Sequence, residues 1–507
     1  MIIIKYIKNR LNESNLALVT TWTCTLCMAC FFGYWLFECI ELLRYPMPTD
    51  YRDWGAIDLS KAIYENGSPY SFTDGPPFMF IYGPLFSIII GSLSIFSVTD
   101  AFTAAKTIAF ASALISAAVV FFEIFSITGV RLYSALGFCS MLWANYGSGV
   151  FFILRPDALG LLICILSLFV IRRGVELINI LICSFLIVTA FYTKQYFVFV
   201  VAPIFLHILM VKNFKSASIF IGSLAAFFVL SVLSVINLWP AYFYQTLLVQ
   251  FNSVGGPWSY SLYQATQFGL LYWPFLILAA YYILKIYNKT VILSSGENLY
   301  IYTLVAGMLC LVPMGRNGGA FMSYHYQLVL PTLTVVGCLS ITRLKSETFR
   351  LAAICLIVVV CIYHADFLKF DPIYSEDSLQ RWRITEAILE KESGPKLIST
   401  PILSHLPGDF TRLDNGHSEC YTALVSRPYP ILNWLFPNRA AYFSGFKGFY
   451  DDIAHNIINK KYKLIVVTSG YHPMIPQSIL EKYYRKSYEI DLQTGRQVWK
   501  TEFWTLN

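Results

Sequence analysis

The chain has 507 residues, of which 56% are hydrophobic, 17% aromatic and only 13% charged. Soluble domains carry about 25% charged residues, so the composition excludes an ordinary water-soluble globular protein. The net charge of +7 comes from basic residues scattered singly between apolar runs, the pattern of membrane loops, and no nucleic-acid partner is expected.

Twelve apolar segments are predicted in chain order: 16–38, 78–97, 104–127, 134–153, 157–171, 177–192, 196–211, 217–236, 268–284, 299–314, 326–342 and 350–367. The first, Leu16 to Phe37, is too long and aromatic for a signal sequence, and no small-residue cleavage site follows it, so it reads as a retained anchor. It contains Cys24, Cys27 and Cys30, three residues apart, which are expected to be small packing residues on one helix face. Of the twelve cysteines, only Cys420 and Cys39 are placed in aqueous segments, and no disulfide framework is implied.

Lysines and arginines assign the sides. Lys5, Lys8 and Arg10 hold the N-terminus in the cytoplasm. Arg172-Arg173, Lys212 with Lys215, Lys285 with Lys289, and Arg343, Lys345 and Arg350 mark further cytoplasmic loops. RPD (155–157), YTKQ (192–195), a long loop 237–267 and GRNGGAFMSYHYQ (315–327) then share the outer face with everything after Phe367. The count carries a conflict. Forward from the N-terminus, residues 48–70 lie outside; backward from the basic loops, the end of segment 78–97 lies outside too. One segment between 78 and 153 therefore fails to cross, or one helix has been missed. ANYGSG (144–149) interrupts segment 134–153, which makes that region the expected break, and eleven or thirteen crossings fit better than twelve.

Residues 370–507 change character. SEDSLQRWRITEAILEKESG (375–394) reads as an amphipathic helix, KLIST (396–400) and KLIVVT (463–468) as strands, and YEIDL with RQVWKTEFW, joined at Thr494-Gly495, as a terminal hairpin. The fold class expected is a polytopic α-helical membrane protein with 11–13 transmembrane helices, residues 1–369, followed by an extracytoplasmic α/β domain, residues 370–507.

The first outer loop, 39–77, holds PTDYRDWGAIDLSKAIYENGSPY (48–70). Trp54 to Asn66 can form an interfacial helix with Ala56, Leu59 and Ile63 as its apolar stripe and Asp58, Lys61 and Glu65 on a wet face. Asn66-Gly67 and Pro69 end it. Asp53 just precedes it. That residue is either the helix N-cap or a carboxylate presented at the membrane surface as a general base or metal ligand, and the two roles are compatible.

The arrangement Asp53, Gly67-Ser68-Pro69-Tyr70 and Tyr82-Gly83-Pro84-Leu85 resembles the GT-C superfamily of membrane glycosyltransferases, and its spacing is similar to that of the catalytic subunit of the first GPI mannosyltransferase. The first acid of that family's D-x-D falls on Tyr51, so the motif is not kept, and Asp50 is the substitute. RPDALGLLICILSL (155–168), FYTKQYFVFVVAP (191–203) and GRNGGAFMSYHYQLVLP (315–331) resemble blocks of bacterial RgtA/PMT-like transferases, with Ser323 where the family pattern has Asn. The resemblance implies a polyprenyl-phosphate-sugar donor, a glycan, lipid or protein acceptor, a bacterial inner-membrane location with the active site outside, and a divalent cation, Mg or Mn, on Asp53 and Asp50.

Transfer of sugar from a polyprenyl phosphate needs a base for the acceptor hydroxyl and stabilisation of the leaving phosphate. Asp53 is the candidate base and Asp50 a second carboxylate, with inversion the simplest stereochemical course for a hexosyl or pentosyl transfer. Arg155 and Asp157 flank Pro156 as either a salt-bridged helix start or a site pair, Asp157 being the auxiliary acid. Lys194 is either a snorkelling interfacial lysine or, with Gln195 and Tyr196, a grip on the donor phosphate. Arg316, among Gly315, Gly318 and Gly319, suits bidentate phosphate binding. His325 would donate to the same phosphate or belong to an aromatic belt with Tyr324 and Tyr326. Tyr70, Trp258 and Tyr324 are the candidate substrate-loop aromatics, loop 237–267 reading as a lid, a sugar-stacking surface or a membrane anchor. In the tail, Asp414, His417 and Cys420 lack a fourth ligand at metal spacing, and Asp451-Asp452 reads as a solvated helix start. Competing activities are a transporter or flippase, and a polymerase or ligase, of lipid-linked sugars. A transporter calls for ionisable residues at mid-membrane and internal repeats, neither of which the sequence displays. Polymerases use basic outer loops, whereas this first loop is acidic.

Overall fold

The computed structural model describes residues 13–45, 53–66, 70, 82–96, 100–147, 156–248, 258–314, 328–364, 376–398, 410–412, 439–468, 477–494 and 497–507. Its first part is a bundle of α-helices: α1 (Glu13–Arg44), α2 (Asp53–Lys61), α3 (Leu85–Phe96), α4 (Ala101–Thr128), α5 (Arg131–Gly147), α6 (Asp157–Arg173), α7 (Leu177–Phe191), α8 (Val201–Val211), α9 (Phe214–Leu238), α10 (Trp258–Tyr287), α11 (Ser295–Met314), α12 (Leu330–Thr342) and α13 (Glu347–His364). Among the described residues, α1, α4, α9, α10 and α11 contain stretches long and apolar enough to cross a membrane. Phe214, Val229, Leu230 and Leu233 of α9 point outward. Apolar side chains displayed along a whole helix suit lipid, not water.

Contacts between helix ends sort them onto two faces. On one face, Tyr45 after α1 accepts from Lys106 of α4, and Asp157 at the start of α6 meets Lys194 after α7. On the other, Arg172 at the end of α6 pairs with Glu123 near the end of α4, Arg343 after α12 pairs with Glu297 at the start of α11, and Tyr282 near the end of α10 donates to Glu297. Tyr302 of α11 reaches Met210 of α8, and Ser261 of α10 reaches the carbonyl of Val312. The helices therefore alternate in direction, with α8 continuing a 3-10 turn, Gln195–Val200.

Helix α3 breaks this alternation. The chain enters it beside Tyr192 and Thr193, where Gly83 and Leu85 donate to their carbonyls. It leaves toward Asp100, the N-cap of α4, on the same face. Segment 78–97 is thus the one that does not cross. Helix α5 runs unbroken to Gly147, and the rest of segment 134–153, with the end of ANYGSG, lies outside the described residues. Of the twelve predicted segments the other eleven are each matched by a helix among the described residues.

Two further expectations are corrected. Cys39 is buried inside α1 rather than in an aqueous segment, because α1 runs to Arg44. Cys24, Cys27 and Cys30 pass from buried through half-buried to exposed, since a three-residue step falls short of a full helical turn and the row drifts off the packed face.

After Glu376 the chain forms a five-stranded sheet, order β2-β1-β3-β5-β4. β1 (Lys396–Ile398) runs parallel to β2 (Phe410–Arg412) and β3 (Leu464–Thr468). β4 (Tyr484–Thr494) and β5 (Gln497–Leu506) form the expected hairpin, β5 antiparallel to β3. Alternate residues of β3 serve two cores. Leu464 and Val466 face Trp382 and Leu389 of α14 (Glu376–Lys391). Ile465 and Val467 join the core that includes Ile453 and Ile457 of α15 (Arg439–Ile458) and Leu480 of α16 (Gln477–Tyr483). Burial on both faces explains why β3 is apolar at four successive positions, Leu464 to Val467, rather than at alternate ones. Asp451 and Asp452 lie within α15, exposed, and not at its start.

Candidate functional site

The site is assembled where the entry to α3, the start of α6 and the α7–α8 connection meet. Asp157 opens α6 as its first helical residue, fully buried, next to the positive end of the helix dipole. Its Oδ1 accepts from Lys194 Nζ at 2.6 Å and from the Tyr196 hydroxyl at 2.5 Å. Lys194 is only 2% exposed, and its ammonium lies 4.4 Å from the Tyr82 ring centroid and 5.0 Å from that of Tyr196. A buried lysine needs a countercharge, and Asp157 with two electron-rich ring faces supplies it.

Local sequence dictates this convergence. Ala190 ends α7 by accepting from Thr193 and Lys194, so the chain turns sharply and aims Lys194 back at α6. Gly160, one turn into α6, lies so close to Phe197 and the Thr193 hydroxyl that a Cβ would sit 2.3 Å from the Phe197 ring. Gly83 is tighter still: a Cβ there would lie 1.8 Å from the Tyr192 carbonyl oxygen. Gly83 and Leu85 donate to the Thr193 and Tyr192 carbonyls at 3.1 Å each, which lays Tyr82 over Lys194.

An aromatic layer adjoins the pair. Tyr70 is buried against Trp239 and Tyr242, at 5.6 and 5.2 Å between ring centroids, and its carbonyl accepts from Ala241. Tyr242 is also 6.0 Å from Tyr192. The end of the first loop, the α7–α8 turn and the chain after α9 are thereby locked together. Trp239 and Tyr242 emerge as site neighbours that periodicity did not single out; the signal was the aromatic run NLWPAYFYQ itself.

The other expected site residues fall as follows. Asp53 is the first residue of α2, whose Ala56 and Leu59 are buried as the apolar stripe requires. The Asp53 side chain, Asp50, Arg155, Arg316, Tyr324 and His325 lie outside the described residues, as do Asp414, His417 and Cys420. Trp258 begins α10 instead of sitting in an irregular loop, and is 59% exposed. Asp58 is 3% exposed, which corrects its placement on a wet face: α2 packs against α3 and α4, not flat on a water layer. Lys194 does not snorkel; its partner is Asp157. Among the described residues, no group of three or more His, Cys, Asp or Glu side chains could hold a metal ion.

No protein-family model matches the sequence, and no curated protein is similar to it at a significant level. Solved structures are similar in fold. ArnT from Cupriavidus metallidurans bound to undecaprenyl phosphate matches with a TM-score of 0.60 and 10% identity, over 94% of this chain and 97% of that one. ArnT in the apo state matches at 0.56 and 10% identity, over 95% and 98%. The apo oligosaccharyltransferase of Archaeoglobus fulgidus matches at 0.51 and 12% identity, over 93% of this chain and 73% of that one. The chain is a polytopic helical membrane protein with the fold of ArnT and of the archaeal oligosaccharyltransferase.

Proposed function

We propose that the protein is an integral-membrane glycosyltransferase that moves a sugar from a polyprenyl-phosphate donor to a glycan, lipid or protein acceptor on the extracytoplasmic face, in a bacterial inner membrane. The observation that carries this reading is the buried Lys194–Asp157–Tyr196 cluster, which lies on the bundle face that also bears α2 and the C-terminal sheet, in a chain with the fold of ArnT, a protein solved with undecaprenyl phosphate bound.

The chemistry is a single displacement. The acceptor oxygen attacks the anomeric carbon, the bond from that carbon to the phosphate oxygen breaks, and its electron pair leaves with polyprenyl phosphate. The acceptor proton passes to the Asp53 carboxylate, and the configuration inverts through an oxocarbenium-like transition state. Lys194, held in place by Asp157, together with Arg316, Arg155 and His325, would face the departing phosphate. The aromatic layer of Tyr70, Trp239 and Tyr242 would exclude water from the reacting bond, with Tyr324 and Trp258 on the substrate side. Asp53 and Asp50 are hard oxygen donors of the type that suits Mg or Mn. Such a cation would stabilise the developing phosphate charge, and chelation of a purified assay tests for it.

The assay that tests the function uses purified protein in detergent with a polyprenyl-phosphate sugar and candidate acceptors. A glycosyltransferase releases polyprenyl phosphate and glycosylated acceptor. A transporter or flippase yields no new covalent product where there are no two compartments to connect, and that result would overturn the proposal.

A further inference from the structure

Tyr45 follows the last residue of α1 and is 4% exposed. It packs in the same core as Trp382 and Leu389 of α14 and Ile398, Leu464 and Phe503 of the C-terminal sheet. Its hydroxyl lies beside Ser378 and Trp382 of α14. A membrane helix thus ends inside the core of the α/β unit. The carbonyl of Tyr45 accepts from the ammonium of Lys106, which also lies 5.5 Å from the Tyr45 ring centroid. Lys106 is itself buried. A cation suits that position, because the last carbonyls of a helix lack intrahelical partners and carry the negative end of its dipole. Residues 46–52 alone connect this anchored point to Asp53, the start of α2. α2 in turn packs on α3 and on α4, the helix that carries Lys106.

We propose that the C-terminal α/β unit is a positioning element for the first loop. α14 grips the Tyr45 ring through Trp382 and Ser378, Lys106 holds its carbonyl, and together they fix the point from which the chain runs into α2. Tyr45, Lys106 and Trp382 are positioning residues. Their effect on turnover rests on Asp53 being the base; their effect on α2 does not.

Hydrogen–deuterium exchange and steady-state kinetics on the full-length protein in detergent test this. Tyr45→Ala and Trp382→Ala should speed exchange of the α2 amides about tenfold, while α6 keeps its protection. Turnover should fall about tenfold or more with little change in donor KM, because a small misplacement of a catalytic group costs rate rather than binding. Tyr45→Phe should restore most of both. Lys106→Met leaves the tail core intact and should speed α2 exchange in the same direction, which keeps the test open if an alanine variant fails to fold. Unchanged α2 exchange in Tyr45→Ala or in Lys106→Met would overturn the proposal. Faster α2 exchange with wild-type turnover would support the clamp and would remove Asp53 as the base.

Discussion

Lys194 and Asp157 meet at 2.6 Å with both side chains closed to solvent, although they come from the ends of two different helices, α7 and α6. The pair ties together the α6 mouth, the α7–α8 turn and, through the Tyr82 ring, the entry to α3. Such a pair gains little net stability, because desolvation offsets most of the attraction, but breaking it strands a buried charge.

Removing one partner should therefore cost more than removing both. Asp157→Asn or Lys194→Met is expected to destabilise by about 3–5 kcal/mol, and Lys194→Met with Asp157→Leu by less than either. Thermal unfolding in detergent of the two singles and the double closes the cycle. If the double is stable yet binds donor weakly, Lys194 contributes to the phosphate site beyond its structural pairing.

Gly83→Ala places a methyl 1.8 Å from the Tyr192 carbonyl oxygen, which belongs to the backbone and cannot rotate away. The variant should separate the 82–85 segment from the α7–α8 turn, with a loss of about 1–3 kcal/mol and faster exchange of the Leu85 amide. Gly129→Ala acts differently: its φ of +68° costs backbone strain far from the site, so stability falls while donor KM holds.

On the opposite face, Glu123 accepts from Arg172 and from the Tyr300 hydroxyl, joining α4, α6 and α11. Arg172→Leu should leave Glu123 buried without its cation and lower stability by about 3 kcal/mol, whereas Glu123→Gln with Arg172→Leu should recover part of it. Neither change should alter the ratio of donor affinities between related sugars, since the proposed donor site lies on the opposite face.

Alkaline pH should loosen the C-terminal unit. Burial pushes the Tyr484 phenol up from 10.0 to about 12, while its hydrogen bond to the Tyr462 carbonyl holds the neutral form in place. The folded value exceeds the unfolded one, so this stabilisation is complete below about pH 10 and is lost as pH rises toward 12. Tyr484→Phe should show a shallower decline in melting temperature across that window.

Much of the architecture was legible because a bilayer demands long apolar runs and one-sided charge. The parity argument located an irregularity between residues 78 and 153, yet it favoured ANYGSG over segment 78–97. Hydropathy reads length and not direction, and only the Gly83 contacts with the α7–α8 turn reveal that α3 returns to the face it came from. The strands β1, β3, β4 and β5 stood out through short apolar runs and the Thr494-Gly495 turn, while β2, three residues of mixed character, carried no pattern. In the site, Lys194 and Asp157 were both singled out, but in different roles. Thirty-seven positions separate them, and no local periodicity encodes a contact between two helix ends. Asp58 was misplaced for a related reason: a polar stripe on α2 looks wet until α3 and α4 cover it.

The most direct test of the central claim is transfer of labelled sugar from a polyprenyl-phosphate donor by purified Asp53→Asn, with expression and melting temperature matched to wild type. Loss of a general base predicts a fall in kcat of about 10²–10⁴-fold with donor KM little changed. Transfer at the wild-type rate would contradict Asp53 as the residue that takes the acceptor proton.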